Sequence, residues 1–205
     1  MTMKFYMAPG SCSTGLHIIL EKLELLFEVY IINIPKGQNR TPEYLSINPK
    51  GTIPTLVLDD GTVFTEYQSI AYYLAASHPK SGLLPRDAIQ ASFAIEVMAY
   101  VVNTLHGQGF TRIFTPDSYL DEECNIERVK TRGNEIISEC FTVLNHHLES
   151  WRPDSPFNIS DSALFYVEFW ADKLGLTLPH NCQKHYETLL SDPVIKTVLA
   201  EEGYH

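Results

Sequence analysis

Four short stretches hold the side chains that could do chemistry. In "APGSCSTGLH", residues 8–17, a Pro9-Gly10 turn delivers Cys12 to the start of a helix-like pattern. A thiol there has two readings. The free N–H groups and dipole of a helix start stabilise a thiolate, lowering a pKa of about 8.5 and making a nucleophile. Alternatively the residue is a small buried thiol, as most free cysteines are. In "NPKGTIPTL", residues 48–56, Pro54 stands just before an apolar run, where it removes a ladder donor. A cis Ile53-Pro54 bond would turn the chain sharply and leave the Ile53 N–H and C=O as an edge for an extended peptide. Otherwise the stretch is a turn before a strand. "TEYQ", residues 65–68, puts Glu66 in the first turn of a helix, either complementing the dipole or receiving a ligand ammonium. In "NTLHGQGF", Asn103, His106 and Phe110 fall at i, i+3, i+7 and so on one α-helical face. His106 is there a donor or base, or a satisfied core histidine. Gly107 and Gly109 interrupt that helix and signal a kink or a close backbone approach. Arg112 reads as a solvated or capping residue.

The elements that must position these residues follow from periodicity. Residues 3–7, "MKFYM", read as a strand. Leu16, Ile19, Leu20 and Leu23 at i, i+3, i+4, i+7 make 13–24 an amphipathic helix. "EVYIINI", residues 28–34, is apolar on both faces and β-branched, which predicts an interior strand of a covered sheet. Residues 35–51 form a polar connection with one helical turn near 43–47. Asp60-Gly61 between two apolar runs predicts a hairpin over 55–66. The helix that follows carries a capping-box spacing at Thr65 and Gln68. The order is therefore βαβ, then ββα.

After a Pro/Gly-punctuated linker, residues 80–87, strand signals end. Helical periodicity runs over 88–113 and 121–150. Asn158 and Asp161 have capping-box spacing before a helix apolar nearly all round, which predicts a helix central to an α bundle and closed by Gly175. Phe157 lacks an apolar partner at Ser162, so its hydrophobic staple is weak. Two short helices fill 180–201.

Composition excludes several functions. The 205 residues are 44% hydrophobic and carry a net charge of −10 without a basic cluster. Nucleic acid and anionic membranes are therefore poor partners. No secretory leader or apolar stretch of membrane length is visible. The 4 cysteines (Cys12, Cys124, Cys140 and Cys182) show neither CxxC nor zinc-ligand spacing. This predicts reduced thiols, a cytoplasmic location and no metal ligand set.

Taken together, "PGSCS", "INPKGTIPTL", "LDDGTVFTE", the linker ending near "LLP" and the pattern from Ser160 to Phe165 resemble the glutathione transferase family, and within it the bacterial beta class. The resemblance covers essentially the whole chain. It implies an α+β fold: a thioredoxin-like N-terminal domain at 1–79, the linker 80–87, and an all-α domain at 88–205. It implies glutathione as co-substrate with no cofactor, a small hydrophobic electrophile as second substrate, and a homodimer. Cys12 is similar to the beta-class active-site cysteine. Ile53 would pair its backbone with the cysteinyl part of glutathione, with Pro54 cis. Glu66 would take the γ-glutamyl ammonium and the Tyr67 N–H its carboxylate. His106 resembles a histidine reaching the site from the helical domain, and Lys36 lies near a lysine that meets the glycine carboxylate.

The chain departs from the pattern at Tyr67 (usually Ser or Gly), at Ala99 (Asn) and at Gly107 (Lys). Asn103 supplies the missing amide from the same helix face. The leading activity is attack of an activated glutathione thiolate on an electrophile, with Cys12 steadying the sulfur and His106 orienting or protonating. Ser11 and Ser13 are further hydroxyl donors, and Tyr6 a weaker one. Two alternatives stand beside it. One is thiol-disulfide exchange through a Cys12–glutathione disulfide, resolved by a second glutathione. The other is a non-catalytic binding protein of the same fold.

Overall fold

A computed structural model describes residues 2–120 and 125–204. The expected helical start at 121–124, with Cys124, lies outside them. Strand β1 (Met3–Met7) leads into helix α1 (Ser13–Lys22) and back to β2 (Phe27–Ile31). A 3₁₀ turn (Gln38–Arg40) and α2 (Pro42–Ile47) precede the hairpin of β3 (Thr55–Val57) and β4 (Val63–Thr65). Helix α3 (Tyr67–Ser77) completes the βαβ-ββα unit. The sheet order is β2-β1-β3-β4, with β1 parallel to β2 and antiparallel to β3. This is a thioredoxin-like sheet, followed among the described residues by helices alone.

Two expectations fail here. Strand β2 is not interior: it is the sheet edge, with Val29 44% and Ile31 61% exposed. Among the described residues only β1 pairs with it, in register Met3↔Phe27 to Met7↔Ile31. An apolar run records side chains, whereas edge or interior is decided by partners far away in the chain. Helix α3 begins one residue late and without a capping box. Its N-cap is Glu66, at φ 74, and no side chain caps it.

The helical part begins with a continuous helix over 88–114: α4 (Ala88–Tyr100), a π-helical segment (Val101–Phe110) and α5 (Thr111–Phe114). By length and composition it could cross a membrane, but it packs against α6 (Ile126–His147) and α7 (Ile159–Lys173). The two glycines that interrupt the pattern lie in the π segment. A Cβ on Gly109 would stand 2.8 Å from Ile137 Cγ1, so the close approach is that of α6. The wider π turn (i→i+5 bonding) also breaks the α-helical face. Asn103 is exposed while Phe110 is fully buried, so these two do not share a side with His106 as expected.

Helix α7 is the central element: every residue from Ile159 to Ala171 is buried. Asn158 accepts from the Ser160 N–H at 2.8 Å and Asp161 from the Asn158 N–H at 2.8 Å, closing the expected capping box. Gly175 follows the helix at φ 69, as read from the sequence. Helices α8 (His180–Leu190) and α9 (Pro193–Glu201) close the bundle, and α1 packs on α3, α7 and α9.

Polar groups on α7 find partners out of water. His185 of α8 bridges two of them, with Nδ1 2.7 Å from Glu168 Oε2 and Nε2 3.2 Å from Asp161 Oδ1. Burial opposes the His185 charge, but Glu168 and then Asp161 outweigh it, and its pKa is pushed up to about 10. Because the folded value is raised above the unfolded one of about 6.5, the contribution is complete below pH 6.5. It is lost as pH rises through about 10. His185→Gln removes the cation and leaves buried carboxylates uncompensated. Urea unfolding of this variant is expected to show a loss of about 3–5 kcal/mol at neutral pH, narrowing at alkaline pH.

Candidate active site around the N-terminus of the first helix

The sheet register assembles the N-terminal candidates. Thr55 stands opposite Tyr6 on one side and Thr65 on the other. The Ile53-Pro54 segment therefore lies beside the ends of β1 and β4, next to the Cys12 loop and Glu66. The Ile53-Pro54 bond is cis. Among the described residues, the Ile53 N–H and C=O have no hydrogen-bond partner, which leaves them open as a short edge. Glu66 is exposed and pairs with Lys50, Nζ to Oε1 at 2.6 Å, while the same Nζ reaches Thr65 Oγ1 at 2.8 Å. Lys50 was not singled out by sequence reasoning, although its place one residue before Gly51 in "NPKG" is the signal. Lys36 is exposed in the turn after β2, its N–H on Asn33 Oδ1 at 3.0 Å.

Cys12 is the N-cap of α1, yet it is not a preformed thiolate. It is 7% exposed. Burial, outweighing the backbone N–H groups of Cys12 and Ser13, pushes its pKa from 9.0 up to about 12. That rise corresponds to about 4 kcal/mol against the charged form. The helix dipole offers roughly 0.3–1 kcal/mol, so desolvation wins. Cys12 is held as a thiol beside Tyr67, Tyr166 and Glu66, the groups whose charges couple to it.

His106 reaches the same neighbourhood through Tyr166, its Nδ1 3.3 Å from the Tyr166 hydroxyl, with its ring 4.9 Å from that of Trp170. Burial pushes its pKa down to about 4. The ring is neutral at pH 7 and cannot serve as an imidazolium acid. Asn103 is exposed and makes no bond toward the site.

Tyr67 explains its own departure. Its hydroxyl bonds Ser162 Oγ at 2.8 Å, and a Cβ on Gly15 would collide with that hydroxyl and with the Ser162 carbonyl. The large side chain is directed away from the Ile53 edge, into the seam of α1, α3 and α7. Gly15 leaves the room it needs. The backbone N–H of Tyr67 remains at the start of α3.

A cavity of about 450 Å³ opens beside the loop, lined among others by Ser11, Phe114, Phe169, Trp170, Lys173 and Tyr204. None of these aromatic residues was picked out in the sequence, because they come from three separate segments. A larger cavity of about 710 Å³ lies on the linker side, between 79–86 and the start of α7. It lies away from the Cys12 loop, whereas the smaller one is bounded by Pro9, Gly10 and Ser11 of that loop. Ser13 is consumed within the loop, bonding Ala8 O at 3.1 Å and Ser11 Oγ at 2.6 Å. Tyr6 faces Tyr44 and Tyr30. Arg112 bonds the Gln108 carbonyl and lies over the Tyr119 ring at 4.3 Å.

The chain's end clamps the loop. Glu202 accepts from the Gly10 N–H at 2.7 Å, Thr14 Oγ1 at 2.6 Å and, at 2.9 Å, His17 Nδ1. Trp170 Nε1 donates to the Gly10 carbonyl at 2.7 Å. A Cβ at position 10 would collide with the Tyr204 hydroxyl, and Gly10 has φ 70.

Comparison with known proteins agrees with this architecture. A family model described as "Glutathione S-transferase, N-terminal domain" matches residues 10–77. The chain is 31% identical to glutathione S-transferase GstA of Escherichia coli O157:H7, over 98% of this chain and 99% of that protein. The chain belongs to the glutathione S-transferase family. Among solved structures, a Sulfitobacter glutathione transferase homologue with bound glutathione superposes at TM-score 0.88, with 24% identity over 98% of each chain. A beta-class glutathione S-transferase from Sphingomonas chungbukensis superposes at 0.83, with 24% identity over 98% of this chain and 100% of that one. The α+β glutathione S-transferase fold read from the sequence is thus shared across the whole chain.

Glu202→Gln weakens a buried, charge-assisted set of bonds. It is expected to lower stability by about 1.5–3 kcal/mol and to speed iodoacetamide labelling of Cys12. In the unsubstituted protein, labelling at Cys12 should keep rising with pH beyond the usual thiol range near 8.5, without a plateau there.

Proposed function

We infer that the protein transfers glutathione to small, largely apolar electrophiles. The observation that carries this reading is a buried Cys12 in the loop that stands between an unbonded Ile53 backbone edge, Glu66 and an aromatic cavity. An extended glutathione would pair its cysteinyl unit with Ile53 and place its ammonium at Glu66. Its γ-glutamyl carboxylate would meet the Tyr67 N–H, and its glycine end would point toward Lys36. Lys50, now paired with Glu66, is a second cation within reach of those carboxylates. The sulfur would then arrive at the start of α1. The S–H of Cys12 and the helix N–H groups stabilise its thiolate.

The thiol loses its proton to solvent. Its electron pair forms the new C–S bond, and the electrophile's leaving group departs with the electrons of the bond that breaks. His106, being neutral, acts through its bond to Tyr166 and through packing on Trp170, which walls the cavity. Asn103 reaches a ligand only by extending from the exposed side of the π segment.

Burial of Cys12, which opposes its thiolate, weighs against the mixed-disulfide route, which needs that thiolate. The open edge and cavity weigh against a purely structural role. We read the chain as a cytoplasmic protein with its domains at 1–79 and 88–205 joined by 80–87. Exposed apolar side chains on β4, α3 and α4 (Val63, Tyr72, Ile89 and Phe93) favour a homodimer, which light scattering on the purified protein would reveal.

The deciding experiment is steady-state conjugation of glutathione to a general aromatic electrophile. Cys12→Ala is expected to lower kcat/KM by about 10–100-fold, the equivalent of one bond to a charged group, with KM for glutathione little changed. Glu66→Gln should instead raise that KM. Because His106 titrates near 4, the rate should show no histidine step at about 6.5. A Cys12 adduct one glutathione in mass after treatment with oxidised glutathione, with turnover lost in Cys12→Ala only for disulfide substrates, would favour the exchange reaction.

A further inference from the structure

Where α9 packs on the second half of α1, His17, Glu21 and Glu201 bring three ligand-type atoms within 4.8 Å of one another. We propose that these three side chains form a site for a divalent cation of the zinc class. The site stands apart from the transferase reading, since none of the three is placed against glutathione or the electrophile.

The helix supplies a natural chelate. His17 and Glu21 are at i, i+4 and so face the same way on α1. Glu201, the last residue of α9, adds a ligand from across the helix pair. The histidine is the fixed member. It is 3% exposed, with Phe5 and Phe27 ring centroids 6.3 and 5.7 Å away. Its Nδ1 is held by Glu202 Oε1 at 2.9 Å. A neutral ring that donates Nδ1–H carries its lone pair on Nε2. A carboxylate on the far nitrogen is the usual outer partner of a metal-binding histidine, setting both tautomer and ring orientation.

The second ring nitrogen faces an acceptor. Nε2 lies 3.5 Å from Glu201 Oε2, beyond the roughly 2.7–3.2 Å of a good N–H···O bond. That spacing does suit two ligands sharing one ion. Atoms each about 2.0–2.2 Å from tetrahedral zinc stand about 3.4 Å from one another. Glu21, half-buried, closes the third position by a side-chain turn, and water takes the fourth.

Charge points the same way. Among the described residues no lysine or arginine pairs with Glu21 or Glu201, and the adjacent Lys22 is taken by Asp192 at 2.6 Å. With Glu202, three carboxylates converge on one imidazole in a chain of net charge −10, an excess of negative charge that a cation would offset. One imidazole, two carboxylates and an open position suit Zn²⁺, whereas Mg²⁺ and Ca²⁺ prefer oxygen-only sets. Bound there, the ion would fasten the end of α9 to α1, and through Glu202 to the loop that carries Cys12.

The test uses the full chain stripped with EDTA and titrated with ZnCl2 by calorimetry and thermal melting, with CoCl2 as a spectroscopic stand-in. The expected result is one tight Zn²⁺ per chain, a zinc-dependent rise in Tm, and a Co²⁺ spectrum without a thiolate charge-transfer band. Glu21→Gln and Glu201→Gln, both at accessible positions that should fold, are each expected to weaken binding by at least the about 10–100-fold that loss of an outer partner costs. Glu43→Gln, an exposed acid on α2, should bind as the unsubstituted protein does. The proposal is overturned if zinc leaves the Tm unchanged, if binding survives both variants, or if Co²⁺ reports sulfur ligation.

Discussion

Helix α7 carries Asp161, Ser162, Tyr166, Glu168 and Trp170 into a place from which water is excluded. A buried polar group without a partner is destabilising by about 1–3 kcal/mol, so each of these dictates what stands opposite. Ser162 meets Tyr67 of α3, Tyr166 meets His106 of the π segment, and Trp170 meets the carbonyl of Gly10. Asp161 and Glu168 share His185. One Glu168 oxygen, Oε1, is left without a partner among the described residues, and burial raises the pKa of that carboxyl. Three of these bonds end on the segments that frame the candidate site. Satisfying α7 therefore also positions the loop of Cys12 and the wall of the aromatic cavity.

The same exclusion of water sets the chemistry. Desolvation holds Cys12 as a thiol and His106 as a neutral imidazole. Neither carries charge before a ligand arrives. Donors aimed at a place where charge will appear need little rearrangement when it does. On the proposed function the charged sulfur would be that of the incoming peptide, to which Cys12 would donate rather than attack. The charged groups, Glu66 and Lys50, stay exposed at the rim, where a zwitterionic ligand can exchange one ion pair for others.

The departure at Tyr67 is matched by residues elsewhere in the chain. Tyr67 is tolerated because residue 15 lacks a side chain and residue 162 offers a hydroxyl. Gly107 lies in the π segment, and its carbonyl accepts from Thr111 Oγ1 at 2.8 Å and Tyr119 at 3.3 Å. Nothing in the structure explains Ala99.

Local signals in the chain decided much. Apolar spacing marked β1, α1 and the helices from α4 on. Asp60-Gly61 marked the hairpin, and Asn158 with Asp161 marked the start of α7. These succeed because hydrogen bonding within a turn or cap depends on residues a few positions apart. The motifs around Cys12, Pro54 and Glu66 were likewise legible one by one.

Tertiary structure decided what no short window contains. It placed β2 at an edge, since pairing is settled by strands elsewhere. It rotated Phe110 away from Asn103 through the wider turns of the π segment. It set the thiol of Cys12 above its usual pKa, because burial depends on Tyr67 and Tyr166, more than 50 residues downstream. It also brought Glu201 and Glu202 from the far end of the chain onto His17. Sequence determines which groups are present and how each local element folds. Which of them lose water together, and so which charge states and contacts they keep, follows only from the packing of distant segments.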